Sequence, residues 1–295
     1  MDNMIQDKTY EDDQPLTAIR VLKTVGIIIL SVGCFLLSSF VGTKICKAAS
    51  ISGYKAEFTC SLISLTLYTI ILTILHKKKV LYTKGNGFFG GLITGFFMIY
   101  ASAASVINTL FLDTADGKAK LVTPTGLKFG SEQVWCILAL IFAAGICEEL
   151  LFRGIIFNVL RDLFGRNSTK GTIAAVFVSG ALFGLYHLIN LAAGVKLEAV
   201  IPQVISAAGL GAFLGAIYAR WGNIWVTVYL HALMDICVVL PQSMKTNESI
   251  VDSINNTMSD PSKYIGVAVY VILAIYLLRK EKRPQMFTYS VCDER

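Results

Sequence analysis

The sequence predicts an all-α polytopic membrane protein with about eight transmembrane helices and a polar intramembrane site. Three observations predict it. Of 295 residues, 55% are hydrophobic and only 16% are charged, where a soluble domain carries about 25% charged residues. Mean hydropathy is +0.63. The apolar residues gather into runs near the length of about 20 residues that a membrane-spanning helix needs.

Taken in order, the chain begins with "MDNMIQDKTYEDDQPLTAIRVLK", a polar stretch with acids among its bases. It reads as a tail over 1–24, not as a cleavable signal. The expected spans are Val25–Thr43, Phe58–Leu75, Phe88–Leu112, Gln133–Leu160, Thr172–Leu191, Ala199–Ala219, Ile224–Leu240 and Tyr264–Leu278. The fourth is long, so tilt or a kink is expected, and the eighth is the shortest. The N-terminal helices occupy 25–130, a core 131–241, and a loop with the last helix 242–278. A tail follows over 279–295; its final "CDER" lacks the aliphatic pair of a prenylation box. No internal repeat stands out.

Eight spans put both termini on one side, and that side collects sixteen Lys and Arg against nine on the other. The richer side belongs in the cytoplasm, so both termini are expected inside, in what reads as a bacterial plasma membrane. The net charge of +6 comes largely from these loops, with membrane lipid as the partner rather than nucleic acid. Seven Cys, mostly in apolar runs and without a CxxC pair, argue against a disulfide framework or a thiolate zinc site. Gly211 and Gly215, four residues apart, suit close helix packing.

Against this background the ionisable residues inside the spans stand out. Glu148, Glu149, Arg153, His187, His231 and Asp235 all lie in predicted helices, where such groups mark function by default. Glu149 and Arg153 are i, i+4 with the acid first, the better order for an intrahelical ion pair. Glu148 is turned about 100° from Glu149 on an α-helix and is left without that partner. His231 and Asp235 share a face, as do Phe183 and His187. From the basic loops, at about 1.5 Å per residue, Glu148 lies roughly 20 Å deep, His187 roughly 25 Å, and His231 and Asp235 roughly 14 and 20 Å. Four polar groups from three helices therefore converge in depth.

A desolvated carboxylate beside an imidazole can hold a water and take its proton. A second His with a hydrogen-bonding neighbour can stabilise a developing oxyanion. Together they form a toolkit for hydrolysing an amide without a Ser or Cys nucleophile. Cys147, next in sequence to Glu148, points to a different helix face. No cofactor is called for, although two His with carboxylates also suit zinc; no HExxH is present.

These residues also carry a resemblance. "EELLFR" (148–153), "FGLYH" (183–187) and "HALMD" (231–235) resemble, in order, the EExxxR, FxxxH and HxxxN/D motifs of the CAAX protease and bacteriocin-processing family, CPBP or ABI. The resemblance covers roughly 130–240. It implies a helical intramembrane endopeptidase of glutamate type, acting on a lipidated or hydrophobic peptide or protein. By that similarity Glu148 and His187 activate water, His231 and Asp235 form the oxyanion site, and Glu149, Arg153 and Phe183 support them. Asp235 departs from the Asn of the CAAX endopeptidases. An ionised Asp cannot donate a hydrogen bond, so an orienting role for Asp235, accepting from the His231 ring, is expected instead. Two other readings stay open: a non-catalytic membrane regulator or bacteriocin-immunity partner, and a proton-coupled transporter using the same groups as a relay.

Overall fold

The computed structural model describes residues 16–82, 87–113, 120–246, 251–252, 254–255 and 263–282. Most of the two tails, residues 1–15 and 283–295, lies outside the described residues. The first helix, α1 (Ala18–Ala48), starts earlier than its apolar run, because Thr17 accepts a hydrogen bond from the Arg20 N–H and caps the added turn. A short turn leads into α2 (Gly53–Ile74).

The third expected span is broken. It forms α3 (Phe88–Thr94) and α4 (Phe96–Phe111), bent by 59° at Gly95. A side chain at Gly95 would collide with Leu230, so glycine permits the close approach at this bend. After α4, Leu112–Asp113 pairs antiparallel with Lys120–Leu121 in a small hairpin.

The fourth span is the longest, a 34-residue helix from Ser131 to Phe164. It begins as α5 (Ser131–Ala139), widens into π-helix over Leu140–Glu148 and Leu150–Ile156, and returns as α6 (Phe157–Phe164). Gly165, at φ 103°, takes the left-handed backbone that ends it. Ser168 then caps α7 (Thr169–Tyr186) by accepting from the Gly171 N–H. A 3₁₀ turn (His187–Leu191) continues from α7. The remaining helices are α8 (Leu197–Trp221), α9 (Ile224–Thr246) and α10 (Lys263–Leu277).

Six of these helices are long and apolar enough to cross a membrane, and the bent α3–α4 pair makes a seventh. The apolar helix α10 has 15 residues, so the expected count of eight is approximate. The molecule is an integral membrane protein built from helices.

The long α5–α6 helix is tied at both ends. At its start, Gln133 accepts from the Gly130 N–H and donates to the Ser243 carbonyl at the end of α9. At its finish, the Asp162 carboxylate pairs with Lys77 Nζ at 2.7 Å and with Arg166, while its carbonyl accepts from Arg20.

Packing around it relies on glycine, because lipid offers helices no hydrophobic drive to associate and close contact must supply it. Gly180 and Gly184 on α7 press against α8. A Cβ at Gly180 would sit 2.6 Å from the Ala212 nitrogen, and one at Gly211 would sit 2.9 Å from the Phe183 ring. A Cβ at Gly145 would lie 2.8 Å from the Ala232 Cβ, so the π-helical segment rests directly on α9, beside His231.

Gly180→Val forces a methyl into backbone, with no flexible side chain to yield. The variant is expected to lose about 1–3 kcal/mol, the usual cost of overpacking, or more. A fall in the thermal unfolding temperature of the detergent-solubilised protein measures it.

Candidate active site

The site grows from a change in helical winding. Over Leu140–Ile156 the backbone is π-helical on either side of Glu149, and π-turns frequently mark functional positions. Wider winding lessens the angle between successive side chains, so Glu148 and Glu149 diverge less than α-helical geometry predicts. Both reach the same imidazole. His231 Nδ1 is 2.9 Å from Glu149 Oε1, and its Nε2 is 3.9 Å from Glu148 Oε2.

Glu149 also pairs with Arg153, as the spacing predicts: Nη1 donates to Oε1 at 2.6 Å. Both side chains are fully buried, 0% and 1% exposed. Arg153 Nη2 donates to the Gly211 carbonyl at 3.1 Å, and its guanidinium lies 5.0 Å from the centre of the Phe183 ring, within cation–π range. One carboxylate oxygen thus accepts from both the cation and the imidazole. A carboxylate accepts only, so Nδ1 of His231 carries the hydrogen.

This corrects one expectation. His231 is oriented by the hydrogen bond that its Nδ1 donates to Glu149. Asp235 lies on the opposite edge of the ring, its Oδ2 3.7 Å from Nε2, too far for a hydrogen bond. The π-winding, not visible in residue spacing, is the reason Glu149 reaches His231.

His187 is set by the end of α7. Its backbone N–H turns to Gly184 as the helix tightens into the 3₁₀ turn. That frees the Phe183 carbonyl, which lies 2.8 Å from the ring Nδ1. A carbonyl only accepts, so Nδ1 donates, and Nε2 of the neutral ring is left as an acceptor. Phe183 meets both imidazoles edge-to-face, at 5.0 Å from His187 and 5.5 Å from His231.

A cavity of about 530 Å³ opens over these groups, and Glu148, His187, His231 and Asp235 all line it. Glu148 and Asp235 are 19% and 28% exposed, enough to meet its contents, while Glu149 and Arg153 lie behind the wall. The cavity occupies one half of the bundle. Its walls include the first halves of α8 and α10, the closing residues of α7 and the α2 face from Glu57 to Tyr68, and its outer part lies toward the connections at 49–52 and 192–196. The half toward Ala18 and Leu277 is closed by packed core, including Phe157, Leu160 and Ile217.

Cys147, though adjacent to Glu148, is buried, and its Sγ donates to the Ser61 carbonyl at 3.2 Å. It also lines the cavity, so it does not point wholly elsewhere as its place in sequence implied. Among the described residues, no group of three or more His, Cys, Asp and Glu is arranged to hold a metal ion.

Sequence reasoning missed three contributors. Tyr68 and Tyr186 line the cavity. Tyr186 precedes His187 within "FGLYH", and its ring lies 5.8 Å from that of His187. Tyr68 lies on a motif-free helix and shares an α2 face with Ser61 and Ser64; that face was the available signal. Gly145, in a small-residue run before Glu148, permits the contact with α9 described above.

With this geometry in view, comparison with family models gives one finding. The model described as Type II CAAX prenyl endopeptidase Rce1-like matches residues 130–237, the segment from the start of α5 to the middle of α9. Comparison with curated proteins gives no match.

Removing one member of a buried ion pair strands the other charge and costs about 3–5 kcal/mol. Arg153→Ala is expected to destabilise the folded protein by that amount, read as thermal unfolding in detergent. Replacing both residues, Glu149→Leu with Arg153→Met, is expected to recover most of the loss, because no charge is then left unpaired.

Proposed function

We propose, from the match of residues 130–237 to the Rce1-like type II CAAX prenyl endopeptidase model, that this chain is an intramembrane glutamate-type endopeptidase. It hydrolyses a peptide bond in a lipidated or hydrophobic, membrane-associated peptide or protein. One observation carries the reading: a single cavity is lined by Glu148, His187, His231 and Asp235, with the buried Glu149–Arg153 pair behind them.

In the proposed reaction a water sits between Glu148 and the free Nε2 of His187. Glu148 takes a proton from it as its oxygen attacks the scissile carbonyl carbon. Negative charge moves to the carbonyl oxygen. His231 faces that charge with Nε2, as a preorganised donor whose orientation is held from behind by Glu149. As the carbon–nitrogen bond breaks, the proton on Glu148 passes to the departing amine. The water oxygen remains in the new carboxyl group.

Asp235 and Glu148 flank Nε2 of His231. In this reading Asp235 acts on His231 through its charge rather than through a direct bond. The reaction needs no cofactor. With both termini on the cytoplasmic side, as the loop charges favour, the cavity opens toward the other face of the membrane.

Glu148→Gln keeps the shape and removes the base. General acid–base catalysis contributes typically 10²–10⁴-fold, so the variant is expected to lose cleavage by at least about 10²-fold while inserting and folding normally. Membrane peptidomes of cells expressing the native chain and this variant provide the test. Identical sets of new peptide termini in the two would defeat the proposal and favour a non-catalytic membrane partner.

A further inference from the structure

The cavity has a second polar feature away from the motif residues. On α2, Glu57, Ser61, Ser64 and Tyr68 follow one another at i, i+4, i+7 and i+11, and all four line the cavity. This spacing forms one helical face. Ser61 marks the catalytic depth, since its carbonyl accepts from Cys147, the neighbour of Glu148. Glu57 lies one turn farther out, roughly 6 Å along the axis. It is exposed, so its carboxylate meets whatever fills the outer cavity. Among the described ion pairs none includes Glu57.

Deeper on the same face, the Tyr68 hydroxyl is buried, lines the cavity and has no hydrogen-bond partner among the described residues. A buried polar group left unmatched at a cavity wall invites a polar group of an occupant. The charges of the lining are one-sided. Glu57, Glu148 and Asp235 contribute carboxyl groups, and among the described lining residues there is no lysine or arginine. A substrate tail ending in a free carboxylate would find no lysine or arginine to pair with, the basic groups of the described lining being the catalytic His187 and His231. A lysine, arginine or N-terminal ammonium would find Glu57.

We propose that Glu57 is a specificity-determining residue that selects hydrophobic peptides carrying a positive charge within about two or three residues of the cleaved bond. The distance follows from the geometry, because an extended peptide advances about 3.3 Å per residue and Glu57 stands roughly two residues outward. The inference rests on the endopeptidase reading and narrows its substrate class.

The test uses the full-length chain in proteoliposomes with a library of apolar decapeptides. Each peptide carries Lys, Gln or Glu at one position, and the C-termini are either amidated or free. Mass spectrometry locates the cuts. A parallel arm measures binding of fluorescent Lys- and Glu-bearing library members to the chain carrying Glu148→Gln, with and without Glu57→Lys. Cuts are expected to be enriched about tenfold for peptides with Lys near the cleaved bond. Glu57→Gln is expected to erase that enrichment, and Glu57→Lys to turn it toward Glu, a gain that a misfolded protein cannot show.

Enrichment that survives Glu57→Gln, or a preference for free carboxylate ends, would overturn the proposal. If nothing is cut, the endopeptidase reading fails and the binding arm still decides. Tighter binding of the Lys peptide that Glu57→Lys reverses supports the cation site; equal binding of the two peptides sinks it.

Discussion

The structure turns on one oxygen atom. Glu149 Oε1 accepts a hydrogen bond from Arg153 on its own helix and another from His231 on α9. An ionised side chain at the centre of a membrane helix costs about 2.5–3.5 kcal/mol on insertion scales. The Glu149–Arg153 pair shares that cost between two charges that cancel. The third partner makes the pair more than a neutralising device, because the carboxylate left in place by Arg153 sets the orientation of an imidazole on another helix. Stability and site geometry therefore depend on the same contact.

Phe183 joins the remaining parts. It is buried among Phe152, the Arg153 guanidinium, His187 and His231, while its backbone carbonyl holds the His187 ring. One residue therefore spaces the two imidazoles and fixes the hydrogen-bonding edge of one of them. Its position is held in turn by glycine contacts between α7 and α8, where Gly211 leaves just enough room for the ring. The polar site depends on this tight apolar packing to keep its angles.

Much of this was legible in the residues. The apolar runs marked the helices, and the i, i+4 spacing announced the Glu149–Arg153 pair. Depth counted along helices brought Glu148, His187, His231 and Asp235 to one level, and they line one cavity. Two things were not legible. Residue spacing assumes α-helical winding, and the π-helical stretch violates it, so spacing alone points to Asp235 rather than Glu149 as the partner of His231. The break at Gly95 was hidden as well, because an apolar run has the same composition whether straight or bent. The contribution of α2 escaped for another reason: serines and a tyrosine carry no motif, and only packing reveals that their shared face looks into a cavity.

The π-helical stretch has a consequence for how this chain can vary. Along most of a helix, one residue gained or lost is absorbed at a loop. Here Gln133 anchors the start of the segment and Asp162 its finish, while Gly145 and Glu149 are held against α9 between them. A single-residue deletion between Leu140 and Ile156 would let the backbone relax toward ordinary α-helix and rotate one end against the other. Either the anchors or the acidic pair would lose register. Substitution can therefore explore this segment one side chain at a time, but its length is constrained like the pitch of a screw seated at both ends.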